Sequence, residues 1–261
     1  MTSDLFQGTV PYYIRYRIPY PAPLLTQIVE DCQPSGKGNM LDLGCGPGEL
    51  ALRLSPEFQE IIALDSDQEM LSAARKQAHA QSIKNIHWIN GKAEEFEADA
   101  DSFELVTIGA AFHWMERQKL ARHIRNWLLP GQPLVILGYT SIWSGTADWL
   151  SVVRNVVKKW LGEKRRAGSG AYIDPAQPHE LVLLEAGYTL GEINYRQTQE
   201  WTLDKLIGNL YSTSFASPAV LGENRPAFES DLRKELLNYD SSGIYTEQMT
   251  FYALIARPTI D

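Results

Sequence analysis

The sequence predicts a doubly wound α/β protein built on a seven-stranded, mostly parallel sheet. Three observations carry that expectation. Short apolar runs alternate with helical patterns between residues 40 and 138. The runs are apolar almost throughout, as expected when both faces of a sheet are covered. The first of them ends in a turn rich in glycine, Gly44, Gly46 and Gly48. Strands and helices that alternate at this spacing pair in parallel through right-handed crossovers.

Each element follows from a local pattern. Residues 1–23 form an aromatic arm punctuated by proline. A helix is expected at 23–33, where Leu24, Leu25, Ile28, Val29 and Cys32 share one face. Pro34, Ser35, Gly36 and Gly38 break it. Residues 40–44 read as the first strand, 48–54 as a short helix and 60–65 as the second strand. The next helix, 67–81, has a start signal: Ser66 and Glu69 stand at the spacing of a capping box. Strands are expected at 86–90, 103–109 and 133–138. The helix between the last two, 116–128, puts Leu120, Ile124, Trp127 and Leu128 on one face and stops at Pro130-Gly131.

After residue 139 the rhythm changes. An amphipathic helix covers 147–161, with Leu150, Val153, Val157, Trp160 and Leu161 inward. A basic, glycine-rich loop covers 164–172. A helix at 179–186 closes at Gly187, a C′ glycine by position. Residues 189–201 form a sixth strand and 247–258 the last. Helices are expected at 203–211 and 225–237. The whole chain, 1–261, reads as one domain. Its core covers about 35–140 plus 180–200 and 245–258. A helical cap is assembled from the N-terminal arm (1–34) and two insertions (140–178 and 202–243).

Composition narrows the function. The 261 residues are 44% hydrophobic and 21% charged, an ordinary globular balance. Lysine and arginine number 24 against 32 acidic residues, a net charge of −8, whereas a nucleic-acid-binding domain is usually basic. Cys32 and Cys45 form no C-x-x-C pair and have no histidine cluster beside them, so no metal site is expected. No run approaches 18 apolar residues, so no membrane span is expected. The first 20 residues lack the layout of a signal peptide. The expectation is a reduced, cytoplasmic protein.

The chemistry is concentrated in Asp42-Leu43-Gly44-Cys45-Gly46-Pro47-Gly48-Glu49. In doubly wound sheets, ligands bind beyond the carboxyl ends of the strands. A dinucleotide loop would read G-x-G-x-x-G, but the sixth position here is Glu49. The phosphate-cradling loop also fails, because no Gly-Lys-Ser/Thr follows. Asp42 before the loop suits a cationic ligand. Asp65 closes the second strand 19 residues after Gly46, the spacing at which a carboxylate meets ribose hydroxyls. A nucleoside with a positive group and no pyrophosphate fits both acids, and S-adenosylmethionine is such a molecule.

On these residues the chain resembles the class I S-adenosylmethionine-dependent methyltransferases. LDLGCGPGEL, ALDSDQEML (63–71), GKAEEF (91–96) and LLPGQPLVIL (128–137) match their successive motifs. AFHWM (111–115) and the tyrosine-rich arm are similar to the small-molecule branch that includes trans-aconitate methyltransferase-like (type 11) enzymes. The resemblance implies a Rossmann-like methyltransferase fold and in-line transfer of a methyl group to a small-molecule acceptor, with S-adenosyl-L-homocysteine as product. It also implies residue roles. Gly44, Cys45 and Gly46 would hold the methionine part of the cofactor, with Asp42 near its amino group. Asp65 would take the ribose hydroxyls, Ser66 and Met70 would flank the adenine, and Ala93 and Glu94 would face its exocyclic amine. Many relatives have aspartate where this chain has Lys92, which makes Glu94 the substitute. Ala110, Ala111 and Phe112 would line the transfer site.

Further candidates are open to two readings. His113 follows the fourth strand, either as a general base or as a pocket residue packed on Trp114. Tyr13 and Arg17 lie four apart in the arm, either over the cofactor or on the domain surface. Phe112, Trp114, Trp143 and Tyr211 are expected at the acceptor pocket, where tryptophan in a cap also serves as packing. Lys158, Lys159, Lys164, Arg165 and Arg166 read as a solvated run rather than an anion site. The alternative functions are a protein or RNA methyltransferase, and a protein that binds S-adenosylmethionine without turnover. A nicotinamide oxidoreductase is weakened by Glu49.

Overall fold

The computed structural model of the chain describes residues 6–168, 170–173 and 175–259. They divide into two compact units. One comprises Pro19–Tyr139, Pro175–Tyr195 and the described residues of Phe251–Asp261. The other comprises the described residues of Met1–Ile18, Thr140–Asp174 and Arg196–Thr250. The helix Ala22–Cys32, expected with the cap, groups with the first unit.

The first unit is organised by a seven-stranded sheet. Its strands are β1 (Asn39–Leu43), β2 (Glu60–Asp65), β3 (Ile86–Asn90), β4 (Leu105–Gly109), β5 (Leu134–Tyr139), β6 (Tyr188–Thr202) and β7 (Ile244–Pro258). The order across the sheet is β3-β2-β1-β4-β5-β7-β6. β1 to β5 pair in parallel, and β7 runs antiparallel to β5, from Leu134 opposite Ala256 to Tyr139 opposite Phe251. The boundaries between the two units fall within β6 and β7. The strand order reverses between β1 and β4, and Asp42 and Thr107 face each other there in register. This is the point in the fold where ligands are received.

Burial explains the apolar runs. The last four residues of β1, the first four of β4 and the first five of β5 are all buried. The helix Arg117–Trp127 covers one face with Leu120, Ala121, Ile124 and Trp127, joined by Val182 and Leu183 from the helix His179–Glu185. Gly187 ends that second helix at φ +85°, as its position required.

The helix after β2 corrects one expectation. It runs Gln68–Ala80, and its N-cap is Asp67, not Ser66. The Asp67 carboxylate accepts from the amides of Glu69 (2.8 Å) and Met70 (3.2 Å), which Ser66, one residue earlier and exposed, does not do. Four of the five residues expected on the inner face of Ala22–Cys32 are buried, with Val29 half-exposed.

The second unit is helical. Val10–Tyr16 packs on Leu203–Tyr211, and Trp149–Leu161 packs on Arg225–Tyr239. Trp149, Leu150, Val153, Val156 and Val157 are buried, while Trp160 and Leu161 are half-exposed. Lys159 and the Trp160 indole N–H both reach Asp231, at 2.7 and 2.8 Å. Part of the expected loop 164–172 forms a two-residue hairpin, Arg166–Ala167 with Gly170–Ala171. Among the described residues no helix is long and apolar enough to cross a membrane.

Candidate functional site

The loop after β1 is held by backbone bonds to the neighbouring strand. The amides of Gly44 and Cys45 both donate to the Leu64 carbonyl, at 2.8 and 3.0 Å. The Gly46 amide donates to Asp65 Oδ2 at 2.8 Å. The Gly48 amide donates to the Cys45 carbonyl at 2.9 Å and begins the helix Glu49–Leu54. Two glycines are required by space as well as by backbone angle. Gly44 has φ +68°, and a Cβ there would lie 2.7 Å from the Ala111 methyl group. Gly48 has φ +89°, and a Cβ there would lie 2.7 Å from the Trp88 indole. The glycines thus let the loop pack directly against Ala111 and Trp88, which fixes its path.

Two carboxylates flank this surface. Asp65 uses one oxygen for Gly46 and the other for the Asp67 amide at 2.8 Å. Burial raises its carboxyl above the ordinary range, against the pull of those two amides. Each oxygen keeps a second lone pair, so the hydroxyls of a diol can add to the amides already present.

Asp42 is set deeper, at 1% exposure. Its Oδ1 accepts from the Thr107 hydroxyl at 2.8 Å, while its Oδ2 has no well-formed hydrogen bond among the described residues. Burial pushes its carboxyl up to about 7, opposed by the Thr107 hydroxyl and, less strongly, by the Ala51 amide. An orphaned carboxylate oxygen of this kind is costly in a folded core. It fits a ligand that brings a cationic donor. Cys45 is a buried free thiol, raised well above its ordinary value by burial and by the two aspartates, so it is not a nucleophile.

The other expected site residues are distributed around the carboxyl edge. Ser66 is exposed between Asp65 and the Asp67 cap. Met70 and Ala93 are buried, and Glu94 is half-buried with its carboxylate accepting the Glu116 amide at 2.9 Å. Ala110 follows β4 at φ +50°, a conformation that a non-glycine residue rarely adopts. Its amide bonds the Leu137 carbonyl at 2.9 Å, which holds the strained turn in place. His113 and Trp114 are half-buried in a 3₁₀ turn, ring centroids 4.6 Å apart.

Phe112 is 1% exposed and belongs to the hydrophobic core, with its ring 5.1 Å from that of His179. Glu49, which excludes a dinucleotide loop, has a structural role. Its Oε1 accepts the Tyr20 amide at 2.6 Å and lies 3.6 Å from Arg53, which also bonds the Tyr20 carbonyl.

Tyr13, Arg17, Trp143 and Tyr211 belong to the helical unit. Tyr13 and Arg17 share a helix face as their spacing suggested, with the guanidinium 4.8 Å from the ring centroid. Arg17 also donates to the Ser212 carbonyl at 3.2 Å, and Asn209 donates to the Tyr16 carbonyl at 3.1 Å. The arm is thus fastened to the helix Leu203–Tyr211. Tyr211 is buried, with its hydroxyl 2.9 Å from Glu229. Trp143 stacks edge-on against Phe215 at 5.3 Å.

Sequence reasoning missed Thr107, Asp67 and Trp88. Thr107 was legible as a lone hydroxyl in an apolar strand, and Asp67 as an acid immediately before the first helical turn. Nothing in the pattern foretold that Trp88 would close over Gly48.

Residues 40–131 match the model of the methyltransferase domain family. An uncharacterised methyltransferase of Bacillus subtilis, YcgJ, is 25% identical over 67% of this chain and 65% of its own length. A probable S-adenosylmethionine-dependent methyltransferase of Saccharomyces cerevisiae, CRG1, is 29% identical over 44% of this chain and 40% of its own. The alignments thus span less than two-thirds of these relatives. A putative type II methyltransferase from Anaeromyxobacter dehalogenans has the same fold, with a TM-score of 0.63 at 17% identity over 93% of this chain and 98% of its own. The chain thus shares the fold of these methyltransferases, and its glycine loop lies within the stretch that matches the methyltransferase domain family. S-adenosylmethionine is the cofactor that the name of the yeast relative gives for that protein. The residues present fit S-adenosylmethionine: a buried carboxylate oxygen with no well-formed hydrogen bond among the described residues, and a second carboxylate held by the Gly46 and Asp67 amides with lone pairs left for a diol.

Proposed function

We propose that the chain transfers the methyl group of S-adenosylmethionine to a small-molecule acceptor. The observation that carries this reading is the pair of acids around the glycine loop, with no well-formed hydrogen bond to Asp42 Oδ2 among the described residues. When bound, S-adenosylmethionine supplies an electrophilic methyl group. The chain's own residues bind, orient and exclude water. Backbone at Gly44, Cys45 and Gly46 lies along the methionine part, and Asp42 receives its amino group. Asp65 accepts the ribose hydroxyls. Ser66, Met70, Ala93 and Glu94 surround the adenine. Ala110, His113 and Trp114 border the transferred methyl group.

Alignment alone supplies a large part of such catalysis, with effective molarities of roughly 10⁵ M or more for well-oriented groups. A dedicated base is therefore not essential. His113 takes that role only if its loss lowers kcat well beyond its effect on cofactor affinity. A small-molecule acceptor accords with the net charge of −8 and with the likeness of AFHWM and the arm to the small-molecule branch. The buried free thiols Cys32 and Cys45 suit a reducing cytoplasm.

The test follows a methyl label. Purified protein is incubated with methyl-labelled S-adenosylmethionine and, separately, with small-molecule, protein and RNA fractions of a cell extract. Label in the small-molecule fraction is expected. Label confined to protein or RNA would overturn the acceptor class. Tight cofactor binding with no label transferred to any fraction would make the chain a binding protein.

A further inference from the structure

We propose that Asp42 receives the ligand's cationic amino group only as a carboxylate, so that binding expels a proton from this buried acid into solvent. The inference rests on the reading that S-adenosylmethionine and its product are the ligands of this site. It begins from geometry. Asp42 lies at the point where strand order reverses, is 1% exposed, and has one oxygen on Thr107 and the other without a well-formed bond. The titratable groups that face it are Asp65 at the end of β2, Glu49 at the start of the following helix, and Cys45 in the loop. β4 presents only the neutral Thr107 hydroxyl. Among the described residues no cation pairs with Asp42. Glu49 is already engaged by the Tyr20 amide and Arg53.

A carboxyl so enclosed, with only acids and neutral groups around it, keeps its proton up to neutral pH. Burial places the balance point at about 7. An entering ammonium supplies the opposite charge that the protein withholds, and opposite charge favours the carboxylate. The step balances simply. The Asp42 carboxylic acid and a free ammonium become a carboxylate–ammonium pair, and one proton goes to solvent. No bond to carbon forms or breaks. The same step gives the site its selectivity, because a neutral or anionic end group cannot compensate the charge left on Asp42.

The sign of the pH dependence follows. With a balance point at about 7, roughly one Asp42 in ten is ionised at pH 6 and about nine in ten at pH 8. Only the ionised fraction is competent, so affinity is about tenfold weaker at pH 6 than at pH 8.

The probe is S-adenosylhomocysteine, titrated calorimetrically into the full chain at pH 6, 6.5, 7 and 8. Buffers of different ionisation heat report the protons released. At pH 6.5 about three-quarters of a proton should leave per ligand bound. Asp42→Asn should remove both the proton release and the pH slope. Thr107→Val removes the hydroxyl that stabilises the carboxylate, so it should move the midpoint to higher pH even if Asp42→Asn binds too weakly to measure. Binding by the natural chain with affinity flat from pH 6 to 8 and no buffer-dependent heat would overturn the inference. So would a pH slope that neither variant changes, since it would belong to another group. A folded chain that binds no S-adenosylhomocysteine at any pH would remove the cofactor reading itself, and this inference with it.

Discussion

The two units of this protein use their polar side chains differently. In the helical unit a chain of polar contacts joins residues far apart in the sequence. Arg225 donates to the Tyr12 hydroxyl at 2.7 Å and lies 4.7 Å from the Tyr211 ring centroid. Tyr211 donates to Glu229, which pairs with Arg233, which also pairs with Asp204. The Trp143 indole nitrogen stands outside that chain, buried with no hydrogen-bond acceptor among the described residues. In the sheet unit the residues at the carboxyl edge keep capacity open. Asp42 Oδ2 has no well-formed hydrogen bond among the described residues, Asp65 rests on two amides with capacity to spare, and Ala110 holds a strained backbone. A closed network stabilises a fold, whereas an open one at the point where strand order reverses is the mark of a ligand site.

The largest expected effect sharpens that contrast. The Asp42 carboxyl has an ordinary value of 3.8 and a folded value of about 7. Below about pH 4 it is protonated in both folded and unfolded chains. As pH rises towards 7 the unfolded chain gives up a proton that the folded chain retains, so stability falls, and the loss is complete above 7. That loss is on the order of 4 kcal/mol. Asp42→Asn should therefore unfold at higher urea than the natural chain at pH 8 in the absence of ligand, while the two converge near pH 4. Parallel urea midpoints at every pH would break the contrast.

Asp65→Ala comes next. Two charge-assisted hydrogen bonds to a diol are at stake, so affinity for S-adenosylhomocysteine should fall by roughly 100-fold or more while the chain stays folded. An unchanged dissociation constant would reassign the ribose site. Gly48→Ala combines a left-handed backbone with a Cβ against Trp88, and should cost about 2–3 kcal/mol in denaturant unfolding. In the helical unit Gly208 is the corresponding close approach, because a Cβ there would overlap the Tyr16 ring. Gly208→Ala should cost about 1–2 kcal/mol, readable in the same unfolding experiment. The smallest effect belongs to the surface. Asp31 and Arg257 pair at 2.6 Å but are 39% and 34% exposed, so Asp31→Ala should change stability by less than about 1 kcal/mol.

The sheet unit was the more legible of the two in the sequence, and the reason is periodicity. Strands covered on both faces are continuous apolar runs, so β2 and β3 were placed to the residue and the other parallel strands to within two. The glycine loop was legible because its backbone angles admit little else. Less was visible where the deciding contact lies far along the chain. Thr107 meets Asp42 across 65 residues, and no local pattern announces that bond. Phe112 and Tyr211 are aromatic residues beside loops, and the extent to which tertiary packing buries them was not legible locally. The Asp67 cap was mistaken for Ser66 because a capping box is defined by spacing alone, while the bond depends on which side chain reaches the amides.

The central claim is that an open glycine cradle between two acids holds S-adenosylmethionine. The most direct measurement is a calorimetric titration of the full chain with S-adenosylmethionine, S-adenosylhomocysteine and NAD in parallel. Micromolar binding of the first two and none of NAD is the predicted result. Binding of NAD alone would contradict the account, because it would require a pyrophosphate site in a loop whose sixth position is Glu49.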